Sequence, residues 1–466
     1  MKISNFKSLG LLLTFVVLLF SCKDKEEELP ALDQESSAAV NRWIIDVMDE
    51  VYYWLGDLGT PISENASAED YFEALLFRPT DRFSVIYPDY QELINSLNGI
   101  SLESGYEFIL YRESSASDNV YAEVTYIKKN SPASAADLKR GDRIVSINNT
   151  AITIDNFRTV LGFTESTHNL GYARFDESSS AFVSKPSISL SPVELSEDPN
   201  FLDTIYTVNN QKIGYVIYHF FTPGPGNNSV QYDNEMDAIF AGFKSESIDH
   251  LIIDFRYNGG GFVSSAVNLA SLIAPGVDTT AVFSKTRYNA FIEAQIPELR
   301  NVNTRFRAKA QNLGNSLVGN RVYILTSTRT ASASELIING LRPYMDVFLI
   351  GNTTTGKNVG SIPFQDEANP QNKYGILPIV TQSFNSKDES DYTTGFVPSI
   401  IALESSERLR PLGDRNELLL RTAISRITGA TPSGRSEQLN RTDLGGSLDQ
   451  KIRMGRMIES NPINKY

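Results

Sequence analysis

The stretch "ILTSTRTASASELIINGL", Ile324–Leu341, joins an apolar strand to an apolar helix through small hydroxyl-bearing residues. Ser332 stands at the predicted start of that helix. There the N–H of Ala333 and the positive end of the helix would stabilise an oxyanion on an attacked carbonyl. A structural interpretation competes, because Ser332-Ala-Ser-Glu335 also fits the capping box that begins many helices. This stretch alone leaves both interpretations open.

A second motif follows in "LIGNTTTGKNVGS", Leu349–Ser361, where Gly351 to Lys357 fits the phosphate-binding pattern GxxxxGK. However, Asn358 stands where such a loop has its Mg²⁺-binding Ser or Thr, and "VGSIPF" has Gly and Pro where its helix should begin. A nucleotide-binding P-loop is therefore the weaker interpretation. Because Ser332 and Lys357 follow consecutive apolar strands, we expect them at the same edge of a parallel sheet.

The surrounding sequence predicts an α/β core over residues 200–429. Short apolar runs such as "KIGYVIYHFF", "HLIIDFRYNGGG" and "DVFLIG" predict strands, and "YDNEMDAIFAGFK" and "VSSAVNLASLI" predict helices between them. A mixed or largely parallel sheet flanked by helices is the simplest arrangement. Residues 430–466 are assigned to a polar C-terminal tail.

Two smaller domains are expected before this core, since a chain of 466 residues is too long for one ordinary core. Helical spacing of apolar residues in "AAVNRWIIDVMDEVYYWL" predicts a small helical domain over residues 36–98. Residues 99–195 form a β-rich block whose segment "SPASAADLKRGDRIVSINN" resembles a PDZ domain. PDZ domains add a peptide C-terminus as a strand beside a loop of backbone amides. By position, that loop is "SGYEF", with Gly105, Tyr106 and Phe108 as its substrate-binding residues.

The three motifs together resemble those of the C-terminal processing peptidases, also called tail-specific proteases. The third is "DFRYNGGG", in which Asp254, Arg256, Asn258, Gly260 and Gly261 fit D-x-R-x-N-x-G-G. The resemblance implies a PDZ domain before a serine-protease core, with Ser332 as nucleophile and Lys357 as general base. It also implies an oxyanion hole formed by the backbone amides of Ala333, Gly260 and Gly261.

One position departs from the family pattern. The family often has Gln four residues after the Lys, where it orients that Lys, and here the position is Ser361. Either the Ser361 hydroxyl takes this role at shorter reach or another group replaces it, and the sequence leaves both open. The histidines, His168, His219 and His250, lie in no recognisable motif, and neither a metal site nor a cofactor is expected.

The beginning of the chain predicts export. Lys2 and Lys7 precede the apolar run "LLLTFVVLLF", which ends at "LFSC". This resembles a bacterial lipoprotein signal peptide over residues 1–21, with lipid attached to Cys22, and the charged stretch 22–35 is expected to be a tether. The protein would then be anchored to the lipid membrane of the cell envelope, with the outer membrane as the expected location.

The expected function is that of a serine endopeptidase acting on extended or unfolded polypeptides with free C-termini. The net charge of −14 argues against a nucleic-acid partner. Two alternatives remain: a non-catalytic PDZ lipoprotein that binds peptides, and, less favoured, a P-loop nucleotide binder. The sequence leaves the physiological substrate and the oligomeric state open, a homo-oligomer included.

Overall fold

The computed structural model describes residues 36–226, 228–430 and 439–463. The predicted signal peptide, Cys22 and the tether lie outside the described residues. Within those ranges, no helix combines the length and the apolar character needed to cross a membrane.

The N-terminal region is helical and packs on the core rather than standing apart. Its elements are α1 (Ser37–Val51), α2 (Ala68–Leu75), β1 (Val85–Tyr87) and α3 (Tyr90–Leu97). A polar side chain caps the start of each helix, as with Ser36, whose hydroxyl accepts the N–H of Ala39. The apolar face of α1 buries Val47 in a cluster that also contains Val380 of the core. Burial against the core therefore holds this region in place.

The next block is the β-rich domain. It contains β2 (Ile100–Glu103), β3 (Tyr106–Arg112), β4 (Val120–Ile127), α4 (Pro132–Ala135), β5 (Arg143–Ile147), β6 (Thr150–Ala151), α5 (Phe157–Gly162), β7 (His168–Asp176), β8 (Ala181–Ser184), β9 (Ile188–Leu190) and β10 (Val193–Ser196). Strands β3, β4, β5, β7 and β8 are neighbours in one antiparallel sheet, and their apolar side chains form a separate cluster. The domain thus has its own core.

The α/β core follows. Its helices are α6 (Gln231–Ser245), α7 (Val263–Ile273), α8 (Ala290–Gln295), α9 (Ala333–Leu341) and α10 (Leu418–Thr428). Its strands are β11 (Asn200–Val208), β12 (Gln211–Tyr218), β13 (His250–Asp254), β14 (Gly260–Phe262), β15 (Val282–Arg287), β16 (Val302–Arg305), β17 (Arg321–Thr326), β18 (Asp346–Gly351), β19 (Val359–Ser361), β20 (Phe364–Gln365), β21 (Gly375–Leu377), β22 (Ile379–Asn385) and β23 (Ile400–Ile401).

The first core sheet has the order β11-β12-β13-β17-β18-β23 and is parallel from β12 onward. Alternate residues of its strands enter different clusters: Ile324 packs with α6, α7 and α9, and Leu325 packs with α10. Burial on both faces explains why these strands read as continuous apolar runs. Because β17 and β18 are parallel neighbours, the loops that carry Ser332 and Lys357 leave the same edge of the sheet. The predicted α/β fold class is confirmed.

The end of the chain adds two strands, β24 (Asp443–Gly446) and β25 (Arg456–Ile458), to two different sheets. Strand β24 pairs antiparallel with β3 at the edge of the β-rich domain. Strand β25 lies between β14 and β19 in the second core sheet, of order β14-β25-β19-β22-β15-β16. Residues 430–466 are predicted from the sequence to form a polar tail. In the structure, residues 439–463 pack on the body of the protein. The strands were missed because they are too short to show a period.

Candidate active site

Ser332 occupies a sharp turn between β17 and α9. Its backbone has φ 63° and ψ −115°, a conformation that costs a residue with a side chain roughly 1–3 kcal/mol and that concentrates at functional sites. The side chain is fully buried, and its Oγ has no hydrogen-bond partner among the described residues. Glu335 forms its half of a capping box by accepting the N–H of Ser332, but the Ser332 Oγ makes no cap hydrogen bond. The geometry therefore presents an unengaged hydroxyl at a helix start.

Glu335 joins the turn at Ser332 to the loop at Lys357. Its Oε2 accepts the backbone N–H groups of both Ser332 and Lys357, each at 2.8 Å. Its Oε1 accepts the N–H of Gly356 at 2.7 Å and the hydroxyl of Thr354 at 2.6 Å. Burial raises the pKa of the Glu335 carboxyl, and these four donors oppose that shift. One buried carboxyl group thus fixes the two loops relative to each other.

Lys357 is fully buried and its Nζ donates to the carbonyl oxygen of Gly455 at 2.7 Å. The Nζ also lies 4.9 Å from the centroid of the Phe83 ring. Burial holds the pKa of Lys357 well below its usual range. The positive charge of Arg456 lowers the pKa further, and the carboxylate of Asp81 opposes this. A lysine in this environment is suited to be a neutral amine at neutral pH, which is the form that can accept a proton.

The predicted oxyanion donors lie beside the serine. Gly260 and Gly261 have φ of 108° and 133°, a region that residues with a side chain rarely adopt. A Cβ at Gly260 would lie 2.6 Å from the Cβ of Ser332, so only glycine permits this approach. The N–H of Gly260 already donates to Asn258 Oδ1 at 2.9 Å. Ala333 is the first residue of α9, where backbone N–H groups have no partner within the helix.

The charged residues of the D-x-R-x-N-x-G-G motif hold the loop in place. Arg256 is fully buried and pairs with Asp254 at 2.7 Å and with Glu417, at the start of α10, at 2.6 Å. Asn258 donates to the carbonyl oxygen of Tyr218 at 2.8 Å. The motif therefore ties the end of β13 to α10 and to β12, and so positions the glycines that follow.

Ser361 makes no orienting contact with Lys357 in this structure. Its Oγ is buried without a hydrogen-bond partner among the described residues, and its carbonyl oxygen accepts the N–H of Glu459 at 3.0 Å. The carbonyl of Gly455 is the group that Lys357 Nζ contacts instead.

The three residues predicted to bind a substrate C-terminus lie at the start of β3, in a separate place from Ser332. Gly105 has φ 83°, and a Cβ there would lie 2.1 Å from that of Ser131. Tyr106 and Phe108 are buried. The N–H of Phe108 donates to Ser447 Oγ at 2.9 Å, and its carbonyl accepts the N–H of Ser447 at 3.1 Å. The chain's own C-terminal segment therefore uses the polar backbone groups of this strand.

The structure gives a physical reason against nucleotide binding at GxxxxGK. In a P-loop the backbone N–H groups face phosphate oxygens. Here the N–H groups of Gly356 and Lys357 point at the carboxyl group of Glu335. Asn358 donates to the carbonyl of Ser390 at 2.8 Å, and the strand β19 follows where a P-loop has a helix.

The histidines have other contacts. His168 Nε2 lies 3.2 Å from the hydroxyl of Tyr106 in the β-rich domain, and His219 Nδ1 lies 3.5 Å from Glu197 Oε1. His250 begins β13, at the opposite end of that strand from the motif loop. In the described part of the chain, no group of three His, Cys, Asp or Glu residues could hold a metal ion.

The sequence pattern predicts Glu335 only as a member of a capping box. Its second role, at the Lys357 loop, depends on contacts between separate loops that no local pattern encodes. The contact between Lys357 and Gly455 was missed for the same reason, since the two residues come together only through the sheet.

Comparisons with known proteins agree with this architecture. Residues 212–400 match Peptidase family S41, residues 39–85 match the Peptidase S41 N-terminal domain, and residues 123–162 match a PDZ domain. The chain is similar to a structure described as an S41 protease from Bacteroides fragilis, with a TM-score of 0.71 and 27% identity, over 84% of this chain and 97% of that one. It is also 22% identical over 233 residues to a carboxyl-terminal-processing protease of Picosynechococcus sp., a match that covers 49% of each chain.

Proposed function

The chain belongs to peptidase family S41, and from that premise we propose that it is a serine endopeptidase with a Ser332/Lys357 dyad. One observation carries the proposal: an unengaged, buried serine hydroxyl on a strained turn is tied through Glu335 to a buried lysine of lowered pKa. Activated serines and neutral lysine bases need these environments.

The proposed reaction proceeds through an acyl-enzyme. The Oγ of Ser332 attacks the scissile carbonyl carbon while the neutral Nζ of Lys357 takes the hydroxyl proton. The C–N bond then breaks, and Lys357 returns the proton to the departing amine. Water, deprotonated by the same amine, releases the acyl group from Ser332. The backbone amide of Ala333, at the start of α9, is suited to stabilise the oxyanion, and no cofactor is required.

The proposed substrates are extended or unfolded polypeptides cleaved near a free C-terminus. The PDZ domain is proposed to hold the substrate end by adding it as a strand, with its carboxylate near Gly105, Tyr106 and Phe108. We further propose that the protein is exported and held at the cell envelope by lipid on Cys22, with the outer membrane as its location.

The test compares wild type with Ser332→Ala on unstructured peptides that carry either a free or an amidated C-terminus. We expect cleavage by the wild type alone, and a higher KM for the amide. Cleavage by Ser332→Ala at the wild-type rate would overturn the dyad. Equal kinetics for acid and amide would overturn carboxylate recognition. Peptide binding without any cleavage by the wild type would support the non-catalytic peptide-binding lipoprotein.

A further inference from the structure

We propose that the C-terminal segment Asp443–Ile458 is a built-in inhibitory strand that occupies the substrate path and must leave before a polypeptide can enter. The inference rests on the proposed function and adds a regulatory state to it. It is carried by three separate contacts of this segment, one at the dyad, one beside the oxyanion glycines and one at the PDZ domain.

The first contact is at the dyad. The Nζ of Lys357 donates to the carbonyl oxygen of Gly455, while Ser332 Oγ has no partner among the described residues. A base that acts on Ser332 has to lie within hydrogen-bond reach of its hydroxyl. The amine is instead bound to a backbone carbonyl of the segment. The carbonyl of Gly455 therefore helps to set where the amine lies relative to Ser332, and movement of the segment would change that position.

The second contact is at the glycine strand. β25 pairs in parallel with β14, so that Gly260 is opposite Arg456 and Phe262 is opposite Ile458. On its other side β25 pairs with β19 at Ser361. A Cβ at Gly260 would lie 2.4 Å from the carbonyl oxygen of Arg456 and 2.6 Å from the Cβ of Ser332. An extended segment of the chain's own backbone thus lies beside the nucleophile, in the position that we propose for a substrate backbone.

The third contact is at the PDZ domain. β24 pairs antiparallel with β3, with Asp443 opposite Tyr111 and Gly446 opposite Ile109. Strand addition at a sheet edge is the way this class of domain binds peptides. Ser447 then bonds both the N–H and the carbonyl of Phe108. The same segment therefore pairs with an edge of the peptide-binding domain and with the glycine strand beside Ser332.

Polar contacts and apolar contacts both hold the segment in place. Substitutions in the polar contacts should therefore change how easily the segment leaves. Arg329, in the loop just before Ser332, pairs with Asp443 at 3.0 Å and with Asp449 at 2.7 Å. Both carboxylates are more than a third exposed while Arg329 is largely buried, so these pairs are weaker than fully buried ones. Met457, by contrast, is fully buried in the main apolar cluster. Weakening the exposed pairs should favour release without removing core packing.

The principal test locks the segment in place. Phe262 and Ile458 are register partners on adjacent strands and pack in one cluster, so Phe262→Cys with Ile458→Cys can form a disulfide between β14 and β25. A Cys22→Ser background removes the one native thiol. We expect the oxidised protein to cleave an unstructured peptide more slowly, by about tenfold or more, and reductant to restore the rate. The reduced form of the same variant is the first control.

A second disulfide controls for oxidation itself. Phe175 and Phe182 are partners on β7 and β8, away from the segment, and their ring centroids are 5.4 Å apart. Phe175→Cys with Phe182→Cys should retain its activity when oxidised. Equal activity of the oxidised and reduced forms of the Phe262/Ile458 variant would overturn the inference.

A complementary variant loosens the segment. Asp443→Asn with Asp449→Asn should raise kcat/KM by about two- to tenfold, because the closed state loses two partly exposed ion pairs to Arg329. Asp388→Asn, which breaks an exposed pair with Lys285 at 2.6 Å, is the matched control and should have no effect. An unchanged or lower kcat/KM in the double variant would count against the inference.

A binding measurement separates this inference from the proposed function. In Ser332→Ala protein that carries the Phe262/Ile458 disulfide, a labelled unstructured peptide should bind about tenfold or more weakly before reduction than after it. Suppose that neither the wild type nor any disulfide variant with Ser332 intact cleaves, but reduction still strengthens peptide binding. The proposed peptidase activity is then wrong, and the inhibitory strand is supported. If cleavage requires Ser332 but oxidation changes neither binding nor turnover, the inhibitory strand fails alone. If the protein neither binds nor cleaves the peptide, the proposed peptidase activity and the inhibitory strand are both contradicted.

Discussion

The carboxyl group of Glu335 accepts the backbone N–H of Lys357 at 2.8 Å, through the same Oε2 atom that accepts the N–H of Ser332. A single oxygen atom thus sets the separation of the two loops. Displacement of reacting groups by about 1 Å can lower a rate by about 100-fold, so this contact is expected to matter for turnover.

We predict that Glu335→Gln lowers kcat by about 100-fold with little change in KM. An amide group has one acceptor oxygen in place of two, so one of the two donor pairs at Glu335 would face an NH₂ group. Thr354→Val, which removes one donor to Glu335 and the acceptor of the Phe396 N–H, should have a smaller effect on kcat. Steady-state kinetics of the wild type and both variants measure kcat and KM separately. If Glu335→Gln raised KM alone, its role would lie in substrate binding instead.

Ser332→Ala is expected to abolish peptide cleavage, by about 10³-fold or more, without a measurable change in the melting temperature. The Oγ makes no hydrogen bond among the described residues, so its removal leaves no donor or acceptor unpaired. Ser334→Ala is the matched control, since Ser334 Oγ donates to the carbonyl of Asn258 at 3.1 Å. This variant should keep most of its activity. Melting of Ser332→Ala at a much lower temperature would favour the capping interpretation.

The pH dependence of kcat/KM should report the titration of Lys357. Burial and Arg456 lower the pKa of this amine, so activity should rise with pH through a group that titrates below the ordinary lysine value of about 10.4. Lys357→Arg should be inactive at every pH because a guanidinium keeps its proton, while peptide binding persists. Substantial cleavage by the Arg variant would remove Lys357 from the mechanism.

Stability should depend on the same lysine in a defined direction. Between its lowered pKa in the folded protein and about 10.4, the unfolded chain binds a proton that the folded protein does not, so the wild type gains stability as pH rises. Lys357→Met should therefore melt at a higher temperature than wild type at neutral pH. The difference, roughly 2–4 °C per kcal/mol, should shrink towards pH 10. A difference that stayed constant with pH would show that Lys357 is charged in the folded state.

The order of helices and strands could be predicted from the sequence because the parallel strands are buried on both faces and are therefore apolar at every position. The run from Leu251 to Ile253 is apolar at every position, and turn residues follow it in the sequence. The proximity of Ser332 and Lys357 followed from topology alone, since parallel neighbours bring their loops to one edge. In this respect the sequence carried most of the information about the site.

The strands of the C-terminal segment could not be predicted from the sequence in the same way. Strand β25 has three residues, and its place between β14 and β19 depends on hydrogen bonds to residues far away in the sequence. Its buried side chains, Met457 and Ile458, are two apolar residues in a polar stretch, which is too few to define a period. Long-range pairing of short segments is a property of the folded sheet rather than of the local sequence.

The last prediction concerns Arg256, which the motif D-x-R-x-N-x-G-G singles out without stating its role. Arg256 is buried, and it joins Asp254 on β13 to Glu417, which also caps α10 by accepting the N–H of Leu420 at 3.0 Å. Arg256→Met would remove the cation from Asp254 and weaken the pairing of Glu417 and Glu404, which also lie near Arg140, and breaking a buried pair costs about 3–5 kcal/mol.

We therefore expect the unfolding free energy of Arg256→Met to fall by about that amount, with denaturant titration as the measurement. The matched control is Arg321→Met, which breaks the exposed pair with Asp346 at 2.6 Å and should cost about 1 kcal/mol or less. Equal losses in the two variants would mean that the Arg256 network does not hold the motif loop. A loss confined to Arg256→Met would show that this network stabilises the loop that positions Gly260 beside Ser332.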